Sequence, residues 1–173
     1  AEFCPNAKII HIDIDPASIS KNVHVDIPVV GDARHILTEL TKEVEHRDRT
    51  EWFAKIAQWK KKYPFRYDPN SACIKPQQVI EEVWRQTKGG AIVVTGVGQH
   101  QMWTAQFYKF SKPRQFITSG GLGTMGFGLP AAVGAQIARP GETVIDFDGD
   151  HSFNMTMTEL ATAVQYEVPI KVC

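Results

Sequence analysis

The sequence has no excess of either charge. Lysine plus arginine and aspartate plus glutamate both number 19, for a formal net charge of zero. That removes the electrostatic reason to expect nucleic acid or an anionic membrane as partner. No apolar run approaches the roughly 20 residues that a membrane span needs. Cysteine is scarce. The three present, Cys4, Cys73 and Cys173, are far apart and odd in number, so neither a disulfide framework nor a zinc knuckle is predicted. A reducing compartment is expected, either cytoplasm or an organellar stroma or matrix. Internal repeats and low-complexity segments are missing. So are an initial methionine and a signal-peptide pattern. Strand-like sequence starts almost at once, and residues 168–173 read as a strand that stops, so a piece of a longer protein is expected. What remains is ordinary for a soluble globular chain: 43% hydrophobic and 22% charged over 173 residues, enough for one domain or two small halves.

Periodicity supplies the elements. Residues 8–15 read as a strand, with Ile10, Ile12 and Ile14 on one face and enough apolar content for a parallel sheet covered on both sides. Residues 27–30 form a second short strand, closed by Gly31-Asp32. Residues 33–46 have helical spacing, with Ile36, Leu37, Leu40 and Val44 on one side. Residues 51–63 make another helix, with Trp52, Phe53, Ile56 and Trp59 as its apolar side. Its Lys60-Lys61-Lys62 run is a solvated last turn that complements the helix dipole. Residues 63–76 carry Pro64, Pro69 and Pro76 without a period, and read as a linker.

After the linker, strand and helix patterns alternate. Pro76 suits a first helical turn, followed by Val79, Ile80, Val83 and Trp84. Strands are predicted at 91–95, 116–118, 143–148 and from 168. Helices are predicted after the loop at 98, over 127–138 and over 156–166. The order implies an α/β fold with parallel strands and right-handed crossovers.

In open parallel sheets, ligands bind beyond the carboxyl ends of the strands. Three strand ends carry unusual residues: Gly96-Val97-Gly98-Gln99-His100-Gln101, then Ser119-Gly120-Gly121-Leu122-Gly123-Thr124-Met125-Gly126, then Gly149-Asp150-His151-Ser152-Phe153-Asn154. Such loops on one edge would converge on one ligand. Gly121, Gly123 and Gly126 form a G-x-G-x-x-G string with Asp146 about 20 residues on, as a dinucleotide fingerprint would have. A dinucleotide site, another phosphate site and simple close packing all remain open for this loop. Asp150 and Ser152 suit a diphosphate, which needs a hard cation with oxygen ligands and donors for its own oxygens. Alternatively, Asp150 only caps the following helix.

Three strings taken in order, Gly98-Gln99-His100-Gln101-Met102-Trp103, Gly121-Leu122-Gly123-Thr124-Met125-Gly126-Phe127-Gly128-Leu129-Pro130-Ala131-Ala132 and Asp148-Gly149-Asp150-His151-Ser152-Phe153, resemble the large catalytic subunits of the acetolactate synthase (acetohydroxyacid synthase) family of thiamine-diphosphate enzymes. Ile9-Ile10-His11-Ile12-Asp13-Ile14-Asp15-Pro16 through Gly31-Asp32 is similar to the end of that family's central domain. The resemblance implies a Rossmann-like central, FAD-contacting domain ending over 1–48, a helix and linker over 49–75, and the beginning of a thiamine-diphosphate-binding domain over 76–173.

The same resemblance implies roles. Gln99 and His100 would meet the diphosphate end of the cofactor, and Gly123, Thr124 and Met125 the aminopyrimidine, with Met125 forcing the cofactor to bend. Asp150 would ligate Mg²⁺, with His151 and Ser152 at the diphosphate. Asp13 and Asp32 would touch an FAD not used for redox, though both also read as strand-end caps. His151 departs from the small residue usual at its place, which makes its backbone N–H the expected contact. No catalytic residue is expected in the chain itself, since the activating glutamate belongs to another domain. The implied reaction joins pyruvate, with loss of carbon dioxide, to a second pyruvate or 2-oxobutyrate, giving 2-acetolactate or 2-aceto-2-hydroxybutyrate. This opens branched-chain amino acid synthesis. A homodimer or tetramer with a small regulatory subunit is the implied assembly.

Overall fold

The computed structural model describes residues 4–173, which divide into two compact units at the Lys61–Lys62 boundary. In the first, β1 (Ile10–Asp13) and β2 (Ile27–Val30) pair in parallel, with Ile10 opposite Ile27 and Asp13 opposite Val30. Asp15 caps the short 3-10 turn Pro16–Ser18 by accepting from the Ala17 N–H. Helix α1 (Ala33–Glu43) starts at Asp32, whose carboxylate accepts from the His35 N–H at 3.0 Å. Helix α2 (Thr50–Lys62) follows, and its three terminal lysines are exposed as expected.

The expectation that the first strand is covered on both sides is corrected. Ile10 is 58% exposed and Ile14 71%, and Val25 is the only buried apolar residue among the described residues of this unit. Two strands and α1 bury one face at most, and a sheet of that size has too little apolar area to close both.

The second unit holds a four-stranded parallel sheet in the order β4-β3-β5-β6. Its strands are β3 (Ile92–Thr95), β4 (Phe116–Thr118), β5 (Val144–Phe147) and β6 (Lys171–Val172). Around it run α3 (Pro76–Gln86), α4 (Gln99–Phe107), α5 (Gly128–Ala138), α6 (Asp150–Thr156) and α7 (Glu159–Gln165).

Period-two alternation sorts the central strands onto two cores. Val93, Ile145 and Phe147 meet Ile80 of α3 and Phe107 of α4. Ile92, Val94 and Val144 meet Ala132 of α5. The small residues of α5 let its backbone lie close to β3 and β5. Every residue of β3 and β5 is buried, the pattern of a parallel sheet covered on both faces. The chain leaves β3 for β4 on one side and returns past β3 to β5 on the other. Strand order therefore reverses at β3, which marks its carboxyl end as a binding crevice.

One boundary differs from expectation. The helix predicted over 156–166 is α7, and it begins at Glu159. A separate helix, α6, starts six residues before the predicted start, at Asp150. Its sequence, Asp-His-Ser-Phe-Asn-Met-Thr, has Met155 as its only strong helix former, so tertiary contacts rather than propensity hold it. No helix among the described residues is long and apolar enough to cross a membrane.

Gln115, just before β4, ties the opposite edge of the sheet. Its amide donates to the Gly89 and Ala91 carbonyls, and its Oε1 accepts from the Ser111 N–H. Gln115→Leu should lower stability by about 2–4 kcal/mol, since it strands buried groups that Leu cannot satisfy. A urea midpoint unchanged by the substitution would show that the clasp contributes nothing.

Candidate functional site

Beyond the carboxyl ends of β3 and β5 lies a cavity of about 690 Å³. Its lining combines apolar residues, Ile74, Val79, Ile80, Trp103 and Phe147, with polar ones, Gln99, His100, Asp148, Asp150 and Ser152. Met125 reaches it from the middle loop. Residues of all three sequence-predicted loops therefore line one space. From the middle loop only Met125 does so, and Gly123 and Thr124 do not. The wall from Ile74, two residues before α3, and from Val79 and Ile80 of α3 was not expected at the site. Sequence showed α3 as amphipathic, but not which strand end it would cover.

Backbone closeness builds the floor. A Cβ added to Gly96 would lie 1.8 Å from Asp148 Oδ1 and 2.3 Å from Ser152 Oγ. A Cβ on Gly128 would fall 2.5 Å from the Gly96 nitrogen and 2.7 Å from Asp146 Oδ1. No side chain fits at either place, so β3, β5, α5 and α6 meet at a distance only glycine allows. Asp148 is almost fully buried, accepts from the Gly149 N–H at 2.9 Å and places Oδ1 3.6 Å from His100 Nε2. Burial pushes the His100 imidazole below its ordinary 6.5, against the opposing pull of the Asp148 carboxylate and the Gly96 backbone.

The middle loop is fastened to α6. The Gly126 N–H donates to Ser152 Oγ at 3.0 Å, and Thr156 Oγ1 donates to the Gly126 carbonyl at 3.0 Å. Ser152 and Thr156, four apart, share one helix face. Gly126 takes φ +82°, which a side chain would resist. Farther back, Ser119 Oγ accepts from the Thr124 N–H, and Gln101 donates to Thr118 Oγ1. The dinucleotide reading of this loop finds no support. The glycines do not open the helix directly, since α5 begins at Gly128. Asp146, the acid such a fingerprint would point at a ribose, is completely buried within β5. It faces α5, because it shares strand parity with Val144.

Asp150 is the first residue of α6, whose cap position is Gly149 without a side-chain bond, so the carboxylate does not cap the helix. It is 85% exposed and lies 2.8 Å from His151 Nδ1. Among the described residues, no group of three or more His, Cys, Asp or Glu is arranged to hold a metal by itself. In the first unit the carboxylates of Asp13 and Asp32 are engaged locally: Asp13 accepts from the Asp15 N–H at 2.9 Å and Asp32 from the His35 N–H.

Asp146 and Asp148 are the functional-site residues for which the sequence reading assigned no place in the cavity floor. The spacing was visible. Asp146, Asp148 and Asp150 alternate along β5 and past its end, so the first two share a face. Both oxygens of Asp146 are buried without a hydrogen-bond partner. Burial, and then the Asp148 charge, push its carboxyl up to about 7.

Residues 96–173 match the family model of the thiamine pyrophosphate enzyme C-terminal TPP binding domain. Residues 1–40 match that of the thiamine pyrophosphate enzyme central domain. The chain is 54% identical to the acetolactate synthase isozyme 3 large subunit of Escherichia coli, with 99% of this chain and 31% of that protein covered. It is 52% identical to the acetolactate synthase large subunit of Haemophilus influenzae, over 98% of this chain and 30% of that protein. Identity to the mitochondrial acetolactate synthase catalytic subunit of Saccharomyces cerevisiae is 48%, over 99% of this chain and 27% of that protein. The chain thus spans less than a third of the length of these relatives. It belongs to the thiamine pyrophosphate enzyme family.

The buried Asp146 sets a pH dependence. Its folded pKa of about 7 lies above the ordinary 3.8, so the folded state binds the proton more tightly than the unfolded one. The associated stability is complete below about pH 4 and is lost as pH rises through about 7. Asp146→Asn, which carries no charge to bury, should be more stable than the parent at pH 8 by up to about 4 kcal/mol. The advantage should vanish near pH 4. Denaturant melts at the two pH values measure this, and an equal difference at both would show that Asp146 is not protonated in the fold.

Proposed function

We propose that this chain supplies the diphosphate-holding loops and one wall of the thiamine diphosphate site in an acetolactate synthase catalytic subunit. The enzyme would join pyruvate, with loss of carbon dioxide, to a second pyruvate or to 2-oxobutyrate. The products would be 2-acetolactate or 2-aceto-2-hydroxybutyrate, which begin branched-chain amino acid synthesis. The observation that carries this reading is one cavity at the β3 switch point, lined by both apolar and polar residues and reached by all three loops. A cofactor with aromatic rings at one end and a diphosphate at the other would use both kinds of lining.

The donor set fits as well. Gly98 gives α4 no side-chain cap, so the first N–H groups of that nine-residue helix are free for phosphate oxygens. Gln99 and His100 sit at the same place. Asp150 offers an exposed carboxylate to Mg²⁺, which keeps several waters and takes one or two protein oxygens besides the diphosphate. The backbone N–H of His151 and the hydroxyl of Ser152 serve the diphosphate beside it. Gly123, Thr124 and Met125 take the aminopyrimidine. When bound, the thiazolium serves as the electron sink for the carbanion left by decarboxylation. With the site closed in the whole enzyme, the apolar residues of the lining would help exclude water, which favours capture by a keto acid over capture by a proton.

Residues 1–48 belong in this reading to the central domain, 49–75 to a helix and linker, and 76–173 to the cofactor domain. Asp13 and Asp32, at the ends of β1 and β2, would face an FAD without redox use. The catalytic subunit would form a homodimer or tetramer and take a small regulatory subunit, in keeping with the large-subunit names of its relatives. The compartment would be cytoplasm or an organellar stroma or matrix, since one relative is mitochondrial.

The direct test supplies the whole enzyme with pyruvate, Mg²⁺ and thiamine diphosphate. 2-Acetolactate and carbon dioxide should appear together, and acetaldehyde or acetate as main product would contradict the reading. Asp150→Ala should raise the Kd for Mg²⁺–thiamine diphosphate at least tenfold, about 1.4 kcal/mol, with the melting temperature nearly unchanged. Met125 is 39% exposed, so Met125→Ala should cost less than about 1.5 kcal/mol of stability while cutting turnover at least tenfold. Turnover equal to the parent's would reduce Met125 to packing.

A further inference from the structure

We propose that Asp148 is a positioning residue that holds the His100 imidazole at the cavity wall in the Nε2–H tautomer. The inference rests on the reading of the cavity as the thiamine diphosphate site for its use, but not for its geometry. The Asp148 side chain is 1% exposed and the His100 side chain 18% exposed, with Nε2 and Oδ1 3.6 Å apart. His100 Nε2 and Asp148 Oδ2 are both buried without a hydrogen-bond partner. Oδ1 already accepts from the Gly149 N–H, which fixes the carboxylate plane and aims its charge at the ring.

The surroundings are shaped around this pair. A Cβ on Gly98 would come within 2.9 Å of His100 Cε1, and one on Gly149 within 3.0 Å. Gly96 and Gly128 leave the room in which the Asp148 carboxylate lies. Four glycines from three different segments thus make space for one histidine and one aspartate. Simple packing would fill that space with an apolar side chain, at less cost than burying a carboxylate.

A buried carboxylate only accepts, so it selects the proton on Nε2. Nδ1 is then left as an acceptor on the edge that lies against Gly98 and Gly149, two residues of the cavity lining. Such a nitrogen repels phosphate oxygens and receives a hydroxyl, an amino group or a water proton. The His100 ring therefore takes a donor of the bound cofactor or substrate, while Gln99 and the first N–H groups of α4, that of His100 among them, take the phosphate. The competing arrangements are the Nδ1–H tautomer and an Nε2–H held by the Gly96 backbone, which also favours the protonated ring.

Nitrogen-15 spectra of histidine-labelled whole enzyme, free of cofactor and metal, decide between them. The signal lost in His100→Gln identifies the ring. The expected result is a neutral Nε2–H tautomer, with the Nε2 proton resonance moving upfield in the isosteric Asp148→Asn. An Nδ1–H tautomer, or a resonance that Asp148→Asn leaves in place, overturns the proposal. Turnover gives the second arm. Asp148→Asn should lower kcat about tenfold in the parent and less than about twofold in the His100→Gln background, because residues acting as one unit do not add. Equal losses in both backgrounds would overturn the coupling. The spectra need no catalysis, so they stand or fall separately from the assignment as an acetolactate-forming enzyme.

Discussion

The close approach of three chain segments at the carboxyl end of the central strands governs this structure. Gly96 after β3, Gly128 at the head of α5, and Asp146 and Asp148 in and after β5 lie so near one another that a single methyl group at either glycine would overlap its neighbours. The contact sets how deeply α5 seats on the sheet. It also fixes where the loop after β3 turns into α4, and where the chain after β5 turns into α6. The cavity exists because those turns diverge from one tight point, as expected where strand order reverses in a parallel sheet. Two carboxylates are buried at that point, and one answer to the charge is a proton held on Asp146.

Elements were legible in the sequence where a single rule governs them. The strands at 92–95 and 144–147 are buried on both faces, and short runs dominated by apolar residues signal that, although Asp146 interrupts the second. Pro76 opens α3 as the fixed φ of proline allows. The start of α6 was not legible, because most of its residues are weak helix formers and its anchors are tertiary: Ser152 and Thr156 gripping Gly126. Ile10 and Ile14 suggested a covered strand, but local alternation records that a face is apolar and not what covers it.

The candidate site divides in the same way. Gln99, His100, Met125, Asp150 and Ser152 were picked out by resemblance, and the structure brings all five to one cavity. Gly123 and Thr124 stay outside its lining. The G-x-G-x-x-G string misleads when read alone, because spacing does not show that Asp146 points inward toward α5. Asp148 was hidden for a different reason. It stands beside a residue with an obvious role, and only the distances to His100 and Gly96 show that it has its own.

The central claim is that the three loops beyond β3, β4 and β5 hold one thiamine diphosphate. A crystal structure of the whole enzyme with Mg²⁺ and thiamine diphosphate tests it most directly. The account predicts Mg²⁺ on Asp150, the diphosphate between the first turn of α4 and the residue 149–152 segment, and the aminopyrimidine against Met125. Cofactor density elsewhere, or a diphosphate seated on Gly121–Gly126 with Asp150 left free, would contradict it.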